Sequence, residues 1–384
     1  MKNEKEFIKG IYEKYDNITK NDNFYHERIY RKKKVSLLKM AAIFIICICI
    51  TASLTYAGFK AYQNAQLNAN YSEDIAATDG NQIWCGTFQL VWNDAMEKMG
   101  KKPIVFKEHS PLAESLNQQK FTVGDISEES YYKIVSEMVP GLKEKIETEI
   151  KEKFGIQSIT LDDIDFTPNS NVCLLYAMLK KEFTFPVEFT DLGKGNFAGG
   201  EQPVTYYGIN DDTDESVWNN VEVLFYDTKN EFAIRLKTNE KEEVILYRTD
   251  NNTSFEDMYQ KILEKEKSYT GSKRYTQYDK ILKIPNINVC TQISYDELCD
   301  KEIQGSTWHI EKAIQTVEFS LDKTGGKIIS EAELQERTKS YAMEDVIADE
   351  REFLLTEQFV LFLKEEDKNV PYFAMHVNDD SVLQ

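Results

Sequence analysis

The chain has 384 residues, with 65 Asp and Glu against 46 Lys and Arg, for a net charge of −19. So acidic a chain is a poor partner for nucleic acid. Its six cysteines are too few for a disulfide scaffold at this length.

The charge is unevenly spread. Residues 1–39 hold eleven Lys or Arg against six Asp or Glu, which leaves 35 against 59 over residues 40–384. In this first segment Phe7, Ile8, Ile11 and Tyr15 recur at helical spacing, which predicts an amphipathic helix. Such a helix either lies on the inner leaflet of a membrane or docks a cytoplasmic partner such as a sigma factor.

The long apolar run follows, MAAIFIICICITASLTYAGF at Met40 to Phe59, bracketed by Lys39 and Lys60. Twenty residues at helical rise span one bilayer core. Thr55, Tyr56 and Ala57 would serve as a signal-peptide cleavage site, but the 39 mostly polar residues before the run are too long for an n-region. We therefore expect residues 40–59 to be a retained transmembrane helix. Cys47 and Cys49 within it follow isoleucines rather than the small residues of a lipoprotein site, and count as apolar packing.

Arg28, Arg31, Lys32, Lys33, Lys34 and Lys39 crowd the N-terminal flank, whereas no Lys or Arg follows Lys60 until Lys98. That asymmetry predicts a single-pass protein of the cell membrane, with residues 1–39 a cytoplasmic tail and the remainder extracytoplasmic. Ala61 to Asn81 is polar and weakly patterned, so residues 60–84 are expected to be a linker and 85–384 the folded domain.

In that domain Phe88, Val91, Trp92, Ala95 and Met96 predict a helix closed by Gly100. Leu142, Ile146 and Ile150 form one stripe of a second helix between Pro140 and Phe154, with Gly155 just past its end. After about Cys173 the pattern changes to short β-rich runs. Val221–Tyr226, Phe232–Leu236 and Val244–Tyr247, separated by DTKN and NEKE, predict an antiparallel meander. A capping box from Thr253 to Glu256 opens another helix through Met258, Tyr259 and Ile262. Phe359–Leu363 and Pro371–Val377, joined by KEEDKN, are apolar on both faces and predict a buried hairpin. The fold class is α+β, with helices packed on large antiparallel sheets.

Motifs for chemistry are sparse. His26, His109, His309 and His376 are scattered, with no HExxH, no CxxC and no paired motif, so neither a metal site, a cofactor nor a histidine-based catalytic site is expected. Of Cys85, Cys173, Cys290 and Cys299, one bridge is possible and none is required. The acidic run NDDTDES at Asn210 to Ser216 lacks the glycine turn and distant glutamate of a calcium loop, and reads as a solvated surface loop. No nucleophile, base and orienting group can be named together, so an enzyme is not expected.

Five segments in order resemble the serpin family. VFKEHSPLAESL at Val105–Leu116 is similar to its strand and Ser-Pro-Leu helix start, and LLYAMLKKEFTFPVEF at Leu174–Phe189 to its central strand and Pro-Phe turn. ILKIPNINVCTQISYDEL at Ile281–Leu298 resembles the Leu-Pro-Lys-Phe strand and following helix. IEKAIQTVEFSLDKTGG resembles the strand into the reactive loop, and FVLFL with PYFAMHVND the C-terminal hairpin.

The resemblance implies a loop that baits a protease and, once cut, inserts into the main sheet. Gly325 then stands at the family's hinge glycine, with Gly326 beside it, and Lys339 followed by Ser340 falls near the scissile bond. Lys327, Ile328, Ile329, Ser330 and Glu331 stand where inhibitory members carry threonine and an alanine run, and bulky inward residues slow insertion. Tyr176, Phe183 and Gln315 replace the family's Asn, Trp and His at positions that govern sheet opening. The bland alternative for SEAELQERTKS is a helix-bearing surface connection in which Lys339 is an ordinary solvated lysine. Two functions follow: a membrane-tethered inhibitor of, or substrate-like bait for, an extracytoplasmic serine or cysteine protease, or a non-inhibitory binding or sensing ectodomain.

Overall fold

A computed structural model of the chain describes residues 76–78, 80–100, 102–155, 161, 164–328 and 350–384, all within the second of its two units, Gln66–Gln384. Among these residues no helix is long and apolar enough to cross a membrane. The expected transmembrane helix at 40–59 and the cytoplasmic tail lie outside the described residues, as do Lys339 and Ser340.

The strands are β1 (Ala76–Thr78), β2 (Asn81–Cys85), β3 (Tyr131–Met138), β4 (Asn169–Leu179), β5 (Lys181–Thr184), β6 (Thr190–Asn196), β7 (Pro203–Ile209), β8 (Val221–Thr228), β9 (Glu231–Lys237) and β10 (Glu242–Arg248). They continue with β11 (Ile281–Pro285), β12 (Ile287–Ser294), β13 (His309–Asp322), β14 (Gly325–Ile328), β15 (Glu352–Leu354), β16 (Phe359–Glu365) and β17 (Phe373–Val377). The helices are α1 (Thr87–Lys98), α2 (Pro111–Leu116), α3 (Leu142–Phe154) and α4 (Phe255–Ser268).

Three sheets result. The seven-stranded sheet, β1-β2-β17-β16-β10-β9-β8, is antiparallel throughout and contains both the expected meander and the expected hairpin. All seven residues of β16 and all five of β17 are buried, which is why both runs are apolar on both faces. The four-stranded sheet has the order β15-β11-β7-β6. The six-stranded sheet has the order β3-β4-β13-β14-β5, with β12 also on β13. Two pairings are parallel, β4 with β13 and β11 with β15.

Strand β4 shows how the sequence produces two cores. Cys173, Leu175, Ala177 and Leu179 point into the main core, whereas Val172, Leu174, Tyr176 and Met178 pack under α3 against Leu142, Ile146, Ile150 and Phe154. Both sets are buried, so the strand is a continuous apolar run with no alternation to read.

Three expectations need correction. Strands β1 and β2 occupy part of the stretch 60–84 assigned to a linker, so the fold begins at or before Ala76. The signal is weak because β1 is three residues long and β2 is too short to show a period. Helix α4 is capped by Ser254, whose Oγ accepts from Asp257 N at 3.1 Å, one residue later than the predicted box. The helix expected after β12 is a single 3-10 turn, Asp296–Leu298.

Candidate functional site

The expected hinge residues lie in a short strand between two others. After β13, the Asp322 Oδ1 atom accepts from Thr324 N at 2.7 Å and from Thr324 Oγ1 at 2.6 Å, which closes a tight turn. The chain then returns antiparallel as β14, with Asp322 opposite Gly325 and Ser320 opposite Lys327. The outer edge of β14 pairs with β5, Gly326 opposite Phe183 and Ile328 opposite Lys181. Farther back along β13, His309 to Thr316 pair directly with Val172 to Met178 of β4. The sheet is thus closed along most of β13 and holds one extra strand at its end.

Only glycine fits there. Gly325 has φ +152°, and a Cβ on it would meet the Phe183 carbonyl; a Cβ on Gly326 would overlap the Phe183 ring. Phe183 is itself buried, so the ring has little room to retreat.

A buried ionic cluster fixes β5 from the other side. Lys181 pairs with Glu242 of β10 and Glu365 of β16. Tyr372 donates to Glu242 Oε2 at 3.0 Å, and Ser127 donates to Glu365 through N at 2.9 Å and through Oγ at 2.7 Å. Burial raises Glu242 above the ordinary carboxylate range against the pull of Lys181. Burial would raise Glu365 too, but the bonds from Lys181 and Ser127 outweigh it and leave it lowered. No local pattern marks this cluster in the sequence, since Lys181 and Glu365 are 184 residues apart.

Midway along β13, the buried Gln315 donates from Nε2 to the Cys85 carbonyl at 3.1 Å and to Thr87 Oγ1 at 2.7 Å. Its Oε1 accepts from Tyr295 at 2.8 Å, and Tyr295 stacks on Phe88 with ring centroids 3.7 Å apart. These bonds tie β13 to the start of α1. Tyr176 is buried on the opposite face, under α3. The three positions singled out by the resemblance are therefore all interior and sit along one sheet.

Cys85, Cys173 and Cys299 are free thiols, and burial pushes each up to about 11, which makes them poor nucleophiles. The NDDTDES loop is held by its own side chains, Thr213 Oγ1 donating to Asn210 Oδ1 at 2.9 Å and Asp214 Oδ1 accepting from Ser216 N at 2.8 Å.

No family model matches the chain, and no curated protein matches it in sequence. Among solved structures it is similar to a serpin from the trematode Schistosoma haematobium, at 12% identity and TM-score 0.48, covering 83% of this chain and 98% of that one. It is also similar to Serpin48 of the insect Tenebrio molitor, at 11% and 0.42, covering 77% and 91%. A third is native protease nexin-1 with heparin, at 10% and 0.43, covering 78% and 92%. The five resembling segments supply α2 with its Ser110 cap, strand β4, the pair β11–β12, the turn from β13 into β14, and the hairpin β16–β17, in that order. Identities of 10–12% assign neither an activity nor a partner.

Proposed function

We propose that this is a membrane-anchored serpin-like protein that offers the loop between β14 and β15 as bait to a serine or cysteine protease outside the cytoplasm, with Lys339 and Ser340 flanking the bond cut. The observation that supports it is the seating of β14. The segment entering the loop already forms a strand between β13 and β5, through contacts that only glycine permits. A sheet that accepts these four residues has the geometry to accept more of the same chain.

Further insertion must part β13 from β4 along the ladder from His309 to Thr316, and must carry the next residue, Ile329, between packed layers. We therefore expect slow insertion and substrate behaviour: cleavage rather than a trapped acyl-enzyme. A second reading, a non-inhibitory binding ectodomain, draws on the closed β4–β13 ladder itself and on the Lys181 cluster that clasps β5.

Incubation of the purified chain with a trypsin-like protease tests the proposal. The expected products are two fragments cut between Lys339 and Ser340, no SDS-stable complex, and a nicked form that melts at higher temperature. Resistance of that bond in the folded protein sinks the bait assignment. A nicked form with unchanged melting favours the binding reading.

A further inference from the structure

At the end of β13 opposite β14, three metal-ligating side chains meet from two segments of chain. We infer that Asp300, His309 and Glu311 form a site for a divalent transition ion of the zinc, cobalt and nickel class. One donor atom from each lies within 4.8 Å of the others, and His309 Nε2 is 3.7 Å from Glu311 Oε2. Metal–nitrogen and metal–oxygen bonds of about 2.0–2.2 Å put neighbouring ligands roughly 3–4 Å apart, so modest side-chain rotation closes the set. Asp300 is exposed and the other two are half-buried, which leaves that rotation free.

The backbone brings the three together. The register of β13 against β4 shifts between Ile310 and Lys312, so Glu311 is the extra residue of a bulge, a device that re-aims a side chain. Asp300 sits at φ +56° while its N–H donates to the Ile310 carbonyl at 2.9 Å, which fastens its loop beside the bulge. Asp300 and His309 also line an open cavity of about 800 Å³ that includes Trp308 and Lys107. Coordination positions left by three protein ligands would face this space and take water or a small anion.

One imidazole and two carboxylates suit a borderline ion better than calcium, which prefers an all-oxygen set of six to eight ligands. No sequence motif reveals the site, because Asp300 joins His309 and Glu311 only through the fold.

The test uses the purified full chain, with Zn²⁺ titrated by calorimetry and Co²⁺ followed by its visible d–d absorption. Wild type should bind one ion at this site, with a Co²⁺ band and a raised melting temperature. His309→Ala and Asp300→Asn should each weaken Zn²⁺ by at least about tenfold and abolish the band, since even outer-shell partners are typically worth 10–100-fold. Asparagine tolerates the left-handed backbone at position 300, so that variant separates ligand loss from misfolding. Among the described residues, His109→Ala removes the other exposed histidine–carboxylate pair, 3.2 Å from Glu114, and should bind as wild type. Retention of binding in both site variants, its loss in His109→Ala, or no Co²⁺ band in wild type overturns the assignment.

Discussion

At residue 326 a side chain has nowhere to go. The Phe183 ring fills the space a Cβ would need, and Phe183 is buried in the main core. Gly326→Ala should therefore cost about 1–3 kcal/mol through overpacking, read as a lower urea midpoint. An unchanged midpoint would mean that β14 does not hold this close contact in solution. His376, on β17, poses a different problem: it is fully buried and neither ring nitrogen has a partner. Burial pushes its pKa from 6.5 down to about 4. Between those values the unfolded chain binds a proton that the folded one does not, so stability is full above pH 6.5 and falls as pH drops toward 4. His376→Leu should remove about 2 kcal/mol of the wild type's loss between pH 7 and pH 5, measured by urea unfolding at both. Equal losses in the two proteins would show that His376 takes up its proton in the fold as readily as in the unfolded chain. The family resemblance pointed to Gly325 and Phe183 from residue type alone, yet it carried no sign that one packs beside the other's neighbour.

Among the elements, β5 is the one whose position depends on charge. Its Lys181 neutralises two carboxylates contributed by the seven-stranded sheet, and all three side chains are largely removed from water, at 11%, 4% and 5% exposure. Lys181→Met leaves Glu242 and Glu365 unpaired, which should cost about 3–5 kcal/mol at pH 7. Without the lysine both carboxylates titrate above their unfolded values, so the penalty is full above those raised values and shrinks as acid protonates them on the way down to the ordinary carboxylate range. Unfolding of wild type and variant at pH 7 and pH 4.5 checks this, and a constant gap would argue that Lys181 contributes packing rather than charge. Helix α3 was legible because a single stripe, Leu142, Ile146 and Ile150, faces one sheet. Strand β4 was marked as a strand by the resemblance alone, since both its faces are covered and no alternation shows. Helix α4 was placed correctly but its cap was not, because Thr253 and Ser254 are both good caps with an acid three residues on.

For the whole molecule, topology is the first thing to test. Protease added to intact cells or protoplasts should remove the domain that follows residues 40–59, because the basic residues before the apolar run and the gap from Lys60 to Lys98 favour a cytoplasmic N-terminus. Protection of the domain in intact cells, with cleavage after lysis, would reverse this orientation. By itself the sequence determined the apolar run and its flanking charges, helices α1, α3 and α4, the meander and the buried hairpin, because those signals are complete within a few neighbouring residues. Tertiary structure alone decided that β14 lies between β13 and β5, that Lys181 meets Glu242 and Glu365, that Gln315 reaches Thr87, and that Asp300 faces His309. Apart from Asp300 and His309, which a loop joins, and β13 and β14, which a tight turn joins, these contacts link segments far apart in the chain. Each depends on strand register, which a period-2 pattern cannot specify when both faces of a strand are buried.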